Sequence, residues 1–399
     1  MTMTVSHPSA RKVWSNLLSK SVFQASFFLD SPMIKRVKAN DAIPSDAVIV
    51  MMDELMGGKG LNKGSGYSIN YDLDGPLLGI PTAGDNVIQG FNKLSLFSDQ
   101  IQINQDRFPV QNDGKFADGL VPYDFLDRVR ERAANEFWKH YFDERFITKS
   151  AGTLGANSWF TIDSTKATAS ARNVNGSVAS DGNDLRAPGA TRIVYGNAKG
   201  SAAAMTSADG LSLDLIDLAV LQSVRPSKNS TNKRLVAPLA IRTKPAFVFI
   251  ADYLALQQMN AATSGRFYDL QRAAIQGGNA KITDIGDWAS YRYASPVGVD
   301  VYIVAHPNMP KFTTYGAGAL NAVRCLLMGK GFLRVAMGRQ SKDVNSFDWH
   351  EREGDEGNQI IVTTGIVVGI QKAAYNTTET GTTREDYAGV ALDVYTGQL

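Results

Sequence analysis

The sequence predicts a mixed α+β protein organised around one long helix. Residues 121–147, VPYDFLDRVRERAANEFWKHYFDERFI, place apolar residues at helical spacing, and no glycine or proline follows Pro122 in this stretch. Alternating apolar and polar residues in 66–103, and strand-like runs after residue 345, indicate β-strands on either side of the helix. Strand and helix patterns interleave from about 151 to 340, which indicates a further compact α/β or α+β domain.

The long helix has one wide apolar side that we expect to be buried. Its expected core residues are Leu126, Val129, Phe137, Trp138, Tyr141 and Phe142. The other side carries charges three or four residues apart, such as Asp127 with Arg130. About 26 residues at about 1.5 Å each make a rod of about 40 Å. The stretch alone leaves an ordinary long core helix open, but the strands around it favour a spine on which a sheet is laid.

Residues 1–35 are typical of an arm. An amphipathic helix is expected to begin after Ser9, which can serve as its cap, and to end before Pro32. Its apolar side holds Val13, Leu17 and Val22. A lone amphipathic helix at a terminus packs either on its own chain or on a neighbour, so these three residues are candidate contacts between copies of the chain.

Residues 66–103 predict an extended hairpin with a long loop. Its limbs, GYSINYDLD and NKLSLFSDQIQI, alternate apolar and polar residues, and the intervening loop GPLLGIPTAGDNVIQG is rich in Gly and Pro. Such an arm buries too little surface to be stable alone. We therefore expect it to contact a partner, and the candidate contact residues near its tip are Leu77, Leu78 and Ile80.

Sequence signals for catalysis, nucleotides or metals are weak. The stretch GGKGLNKGSG at 57–66 lacks the Ser or Thr that follows Gly-Lys in a phosphate-binding loop. The four histidines are far apart, and none lies in a HExxH pattern. The acidic turn HEREGDE after Trp349 could hold a cation, but a solvated turn is the favoured interpretation. We therefore assign no catalytic residue, no cofactor and no metal.

Composition and charge limit the remaining possibilities. The chain of 399 residues carries 41 basic and 39 acidic residues, and a net charge of +2 argues against a dedicated nucleic-acid-binding protein. The basic cluster Lys35, Arg36 and Lys38 is a candidate for weak phosphate contacts. The single cysteine, Cys325, excludes an internal disulfide and is expected to be a buried, inert thiol. No apolar run long enough for a membrane span and no signal-peptide pattern is found.

The order of these parts resembles a known protein family. The segments that carry the resemblance are SPMIKRVKA, LVPYDFLDRVRERAANEFWKHYFDERF, SPVGVDVYIV, LLMGKGFLRVAMGR and WHEREGDEGNQIIVTTGIVVGIQKAAYN. Together with the arm and the hairpin, they resemble a tailed-bacteriophage major capsid protein with the Hong Kong phage-type capsid fold. More specifically, the sequence is similar to the major capsid family of the podovirus coliphage N-four. Residues 151–235 depart from this pattern.

The resemblance implies a phage major capsid fold of class α+β with four parts. These are an N-terminal arm (1–35), an E-loop region that contains the hairpin (36–92), a peripheral domain in which the spine helix packs on a β-sheet (93–150 and 341–399), and a central axial α/β domain (151–340).

The resemblance also implies a function. It is that of a major capsid protein, which self-assembles into the icosahedral head shell around double-stranded DNA and resides in the virion after assembly in the host bacterial cytoplasm. The implied partners are copies of itself in hexamers and pentamers, with scaffold, portal and decoration proteins, and DNA contacted without sequence preference. No membrane partner is implied. An enzyme with an unrecognised active site and a host-surface-binding module remain the alternatives.

Overall fold

The structure, a computed structural model, describes most of the chain. The described residues are 8–29, 34–37, 43–52, 68–74, 96–114, 124–153, 183, 185–224, 236–241, 244–262, 290–316, 318–338, 347–376 and 384–397. The candidate contact residues Leu77, Leu78 and Ile80 of the hairpin tip lie outside this part of the chain. Within it, none of the helices combines the length and the apolar character needed to cross a bilayer.

Four helical regions accompany the strands. They are the N-terminal helix (Pro8–Ala25), the spine helix (Phe125–Arg132, Ala133–Trp138 and Lys139–Ala151 in succession), and two further helices at Leu213–Val224 and Tyr253–Ala262. Ser9 lies inside the N-terminal helix, so it is not the expected cap. Single 3₁₀ turns lie at Ala190–Arg192, Gly196–Ala198, Ala202–Ala204 and Asp355–Gly357.

The spine helix is continuous but contains one wide turn. Ala133–Trp138 forms a π-helix, in which each N–H bonds to the carbonyl five residues back rather than four. The buried residues therefore step from Val129 and Ala133 to Trp138 and Phe142, with a spacing of five across the turn. This spacing explains why the apolar side of the helix is wide in the sequence.

Both ends of the spine helix are defined by local chemistry. The Asp124 side chain accepts a hydrogen bond from the N–H of Leu126 at 2.9 Å and caps the first turn. At the other end Gly152 has φ 65°, the left-handed conformation that commonly ends a helix.

Eighteen strands are described. In chain order they are β1 (Ile34–Val37), β2 (Ile49–Met52), β3 (Ser68–Asp74), β4 (Leu96–Gln102), β5 (Asn104–Gln111), β6 (Ile193–Tyr195), β7 (Leu239–Ile241), β8 (Lys244–Ala251), β9 (Ser290–Ala294), β10 (Asp300–Ala305), β11 (Lys311–Tyr315), β12 (Leu320–Met328), β13 (Leu333–Gly338), β14 (Phe347–Gly354), β15 (Gln359–Lys372), β16 (Ala374–Asn376), β17 (Arg384–Asp386) and β18 (Gly389–Tyr395).

The strands form two large sheets. One has six strands in the order β1-β2-β13-β15-β14, with β5 paired to β15 as well; the other has eight strands in the order β6-β18-β12-β8-β10-β9, with β11 on β12 and β7 on β8. The spine helix packs on β15, which is the longest strand of the six-stranded sheet. Two-stranded ladders of β3 with β4 and of β16 with β17 lie apart from these sheets in the hydrogen-bonding pattern.

Strand pairing departs from the expected domain limits in three places. β1, which spans the expected boundary of the arm and the E-loop region, and β2, expected in the E-loop region, belong to the six-stranded sheet, and so does β13, expected in the axial domain. β18, expected in the peripheral domain, pairs with β12 in the eight-stranded sheet. The physical reason is burial: β2, β13 and β18 are buried over all or nearly all of their length, so each needs neighbouring strands to satisfy its backbone.

One continuous core joins the two sheets. On the spine side it is aromatic, with the Trp138 and Phe347 rings 5.2 Å apart at 74°. On the other side it is mainly aliphatic and encloses Cys325 of β12, whose thiol has a pKa raised far above its usual value by burial. The ion pair of Arg324 with Asp393, 2.7 Å, crosses β12 and β18 there, and Arg324 also donates to the last carbonyl of the spine helix at Ala151.

Candidate assembly surfaces

The N-terminal helix packs on the spine helix and on β14 of the same chain. The Trp14 ring stacks on Trp349 of β14 with centroids 5.5 Å apart. Arg11 holds Asp348 through both carboxylate oxygens at 2.6 and 2.8 Å. Ser15 donates to the carbonyl of Phe347. The helix therefore has a partner within its own subunit.

The three apolar residues predicted to share one side of this helix do not share it. Val22 is completely buried in the subunit core, while Val13 and Leu17 are 55% and 38% exposed. The reason is helical geometry: nine residues at about 100° each turn Val22 to the side opposite Val13. The intersubunit prediction for Val22 is therefore wrong in this conformation. Val13 and Leu17 remain candidates and form an exposed ridge that continues through Lys20 and Gln24.

The chain that follows the N-terminal helix is fixed to the spine helix. Asp143 accepts a hydrogen bond from the Ser26 hydroxyl at 2.7 Å, and burial raises the pKa of this carboxyl. Phe28 stacks on Phe146 with centroids 5.1 Å apart. His306 lies against Phe28 at 5.5 Å and is nine-tenths buried, which lowers its pKa to about 4.

The predicted core residues of the spine helix lie at two depths. Val129, Trp138, Tyr141 and Phe142 are buried, whereas Leu126 and Phe137 are partly buried and pack against the core. Trp138 satisfies its indole N–H by donating to the Thr364 hydroxyl of β15 at 3.0 Å. Phe137 stacks on Phe108 of β5, with centroids 3.7 Å apart. The stripe therefore faces the six-stranded sheet.

The root of the hairpin, which we define as strands β3 and β4, is also held within the subunit. The two strands pair antiparallel over seven residues, from Ser68 opposite Gln102 to Asp74 opposite Leu96. Their inward residues Tyr71, Leu73 and Ile101 are at most 1% exposed. The root therefore has its apolar partner within its own subunit, because every second side chain reaches the core of the six-stranded sheet.

A buried ion pair lies at the hairpin root. Arg186 donates to both carboxylate oxygens of Asp99, one of them at 2.6 Å, and to the carbonyl of Lys372 at 2.8 Å. Both side chains of the pair are only 7% exposed. Tyr71 donates its hydroxyl to Asp99 at 2.6 Å, and burial together with that carboxylate raises the pKa of Tyr71. The Arg334 guanidinium lies over the Tyr71 ring at 5.0 Å.

Asn183 adds a second contact to the same root. Its side-chain amide accepts from the N–H of Gln102 and donates to the carbonyl of Gln102, both at 2.8 Å. Lys149 of the spine helix donates to the Asn183 carbonyl at 2.5 Å. Gly152, which ends the spine helix, lies so close to the Arg186 carbonyl that an added Cβ would be 1.8 Å from it. The hairpin root and the spine helix therefore meet at Asn183 and Arg186.

Sequence reasoning missed this contact. Residues 151–210 have no clear periodicity apart from RIVY, so nothing marks Asn183 or Arg186 there. The available signal is the polar Asp99 in a limb that otherwise alternates toward the core, but its partner is 87 residues away in the chain.

The charged clusters singled out in the sequence are placed separately. Lys35 pairs with Asp46 at 3.0 Å, Arg36 is exposed, and Lys38 lies outside the described residues. Asp355 and Glu356, in the acidic turn between β14 and β15, are exposed and have positive φ values of 47° and 50°. Among the described residues, no group of three or more acidic, histidine or cysteine side chains is arranged to hold a metal ion.

Comparison with known proteins identifies the family. Residues 2–396 match the family model described as phage capsid protein. The chain belongs to this family. It is a major capsid protein, a structural protein of the phage head shell and not an enzyme. No curated protein sequence matches it.

Three solved structures resemble this capsid protein over nearly its whole length. The capsid of Ralstonia phage GP4 has a TM-score of 0.70 and 22% identity, over 94% of this chain and 92% of that chain. The Cyanophage Pam1 capsid asymmetric unit has a TM-score of 0.62 and 14% identity, over 90% and 92%. The head structure of Helicobacter pylori bacteriophage KHP40 has a TM-score of 0.58 and 12% identity, over 93% and 91%. The prediction of an α+β phage major capsid fold is confirmed.

Proposed function

We propose that this capsid protein assembles with copies of itself, as pentamers and hexamers, into a closed icosahedral shell around the double-stranded DNA of a tailed phage. The observation that carries the proposal is the family match over residues 2–396. The likeness to capsids of three phages over at least nine-tenths of each chain supports it. In such a shell, each head-to-tail contact joins two different surfaces and closes into a ring.

Two surfaces of the subunit are proposed to take part in these contacts. One is the ridge of Val13 and Leu17, because two exposed apolar side chains one helical turn apart can be covered by a neighbouring copy. The other is the hairpin tip, for which the sequence offers Leu77, Leu78 and Ile80. The division into arm, E-loop region, peripheral domain and axial domain is part of the same proposal. In it, β1, β2 and β13 are assigned to the six-stranded sheet and β18 to the eight-stranded sheet.

Further partners are proposed on more general grounds. A net charge of +2 favours weak contact with packaged DNA without sequence preference, and Arg36 is an exposed candidate. Scaffold, portal and decoration proteins, assembly in the bacterial cytoplasm, and an N-four-like podovirus lineage follow from the sequence resemblance alone.

Electron microscopy of the purified protein tests the proposal. We expect closed shells, or rings of five and six subunits. Val13→Glu should leave a folded subunit that assembles poorly, because the new charge loses water when a neighbour covers the ridge. Gln257→Glu adds the same charge to the exposed side of a different helix, Tyr253–Ala262, and serves as the control. A wild-type protein that stays monomeric under all assembly conditions would contradict the proposal. Equal assembly of both variants would show that the ridge of Val13 and Leu17 does not contact a neighbouring copy.

A further inference from the structure

We propose that Asn183 and Arg186 are positioning residues for the hairpin, fixing the orientation of its root strands β3 and β4 on the subunit. We call the contacts of Asn183 with Gln102 and of Arg186 with Asp99 the hairpin clamp. The inference rests on the proposed function only where it links hairpin direction to assembly.

The hairpin root needs such a device because its own pairing does not orient it. β3 and β4 form a ladder of two strands that is hydrogen-bonded to neither large sheet. β4 continues through Ile103 into β5, which anchors one end of the root in the six-stranded sheet; the attachment through Ile69, Tyr71, Leu73 and Ile101 is apolar, and apolar burial is non-directional. A two-stranded ribbon held in this way alone could rotate on the core surface.

The ion pair of the clamp supplies direction rather than stability. Arg186 grips Asp99 through two parallel hydrogen bonds, and this geometry fixes both the distance and the angle between the groups. Burying both charges loses hydration, so the pair adds little net stability compared with apolar side chains of similar volume. Its third bond, to the Lys372 carbonyl, ties the hairpin root to the end of β15.

The amide of Asn183 acts on the other end of β4. Gln102 is the last residue of β4, and its N–H and C=O both pair with the one side chain, as they would with a neighbouring strand. Since Lys149 holds the Asn183 carbonyl, the end of β4 is tied to the last turns of the spine helix. Asp99 and Gln102 are three residues apart, so the clamp fixes two points along one strand, and two points define a direction.

Spin-label distance measurements on the isolated subunit test the inference. Asp72 on β3 and Gln24 on the N-terminal helix are exposed, and each is replaced by cysteine for labelling. Cys325 is buried and should remain unlabelled. The double variant Asp99→Leu with Arg186→Met removes the clamp's ion pair without leaving a buried charge. We expect its label-to-label distance distribution to broaden while circular dichroism stays near the wild-type values and the melting temperature falls less than in Arg186→Met alone, because the Tyr71 hydroxyl and the Lys372 carbonyl lose partners but no charge is left unpaired.

A matched control removes a different Arg–Asp pair. Arg292 and Asp300 join β9 to β10 at 2.9 Å, away from the hairpin root, and Arg292→Met with Asp300→Leu should leave the distribution narrow. If the first double variant does not fold, Asn183→Ala removes only the two amide bonds and should broaden the distribution as well. An unchanged distribution in the clamp variants that fold would overturn the inference.

Assembly assays with the same variants separate the two proposals. We expect the equilibrium constant of each subunit contact to fall about tenfold in the clamp variants, which corresponds to about 1.4 kcal/mol, and the yield of closed shells to fall with it. A broadened distribution with a normal yield of shells would support the clamp and contradict the proposed role of the hairpin in assembly.

Discussion

The N-terminal helix and the hairpin root are attached to the same subunit by different kinds of contact. The helix lies on β14 through the stacking of Trp14 on Trp349, and it adds a partly exposed ion pair of Arg11 with Asp348 and a hydrogen bond from Ser15 to the Phe347 carbonyl. The root adds to its apolar contacts a buried ion pair and a two-point amide contact. Apolar contacts hold a segment without fixing its angle, whereas paired hydrogen bonds fix the angle at a cost in hydration.

This difference matches what each part has left to offer a neighbour. The helix keeps an exposed ridge along its length, so a small change in its angle alters the contact little. The hairpin is proposed to meet a neighbour through Leu77, Leu78 and Ile80, which follow β3 in the sequence, so the orientation of β3 and β4 bears directly on that contact. The buried ion pair and the amide contact therefore act on the strands whose orientation the proposed contact depends on.

The largest effect is expected when one member of the clamp's ion pair is removed. Arg186→Met leaves Asp99 buried without its cation, and loss of one partner of a buried pair costs about 3–5 kcal/mol. The double variant with Asp99→Leu should recover most of this loss. Urea unfolding of the three proteins measures the difference. Equal stability of the single and double variants would show that the pair is not electrostatically coupled.

A loss of similar size is expected at the core beneath the N-terminal helix. Trp138 has no exposed surface, and Trp138→Ala removes its packing and the bond to Thr364, at a cost of about 3–5 kcal/mol. Thermal unfolding of the isolated subunit measures this. Phe137→Ala, one residue away and partly exposed, should cost less. An unchanged melting temperature for Trp138→Ala would contradict burial of the spine stripe.

The junction after the N-terminal helix should respond to pH. The folded-state pKa of His306 is about 4, below its ordinary 6.5, because burial and the nearby Lys139 disfavour the charged form. A lowered folded pKa contributes stability that is complete above pH 6.5 and is lost as the pH falls toward about 4. The loss should be about 3 kcal/mol, since one pKa unit is about 1.4 kcal/mol.

Unfolding at a series of pH values, with His306→Gln as the comparison, checks this. The introduced glutamine side chain would still accept the hydrogen bond that Asn308 donates to the ring of His306, but it does not titrate. Asp143, whose raised pKa makes the folded form protonate first, acts in the opposite direction and is common to both proteins. The same pH slope in both would refute the role assigned to His306.

The smallest effect is expected from the stacking that holds the N-terminal helix. Trp14→Ala should cost about 2 kcal/mol, because the ring is only partly buried and the neighbouring contacts remain. Hydrogen exchange should increase in residues 8–25 while the hairpin root stays protected. Equal loss of protection in both regions would mean that the two attachments are not independent.

Periodicity predicts the parts of the fold that depend on local sequence. The spine helix, the N-terminal helix and the alternating limbs of the hairpin all follow from spacing, because burial of one face imposes a period. The sequence could not place Val22, since a short helix can be packed by either side. It could not reveal the clamp either, because Asp99 and Arg186 meet only after the long-range fold brings them together. The same reason applies to β18, expected in the peripheral domain. Its apolar sequence is compatible with either large sheet, and only its long-range pairing with β12 assigns it to the eight-stranded sheet.

The π turn in the spine helix has a consequence for anyone who redesigns or aligns this protein. One extra residue within Ala133–Trp138 shifts the phase of the second half of the helix by about 100° relative to the first. A uniform heptad pattern written across the turn would therefore direct either Val129 or Trp138 toward solvent. Conversely, deletion of a single residue in this turn would restore a regular helix and leave the core side chains before and after it on one face, because Ala133 and Trp138 would then be four residues apart instead of five.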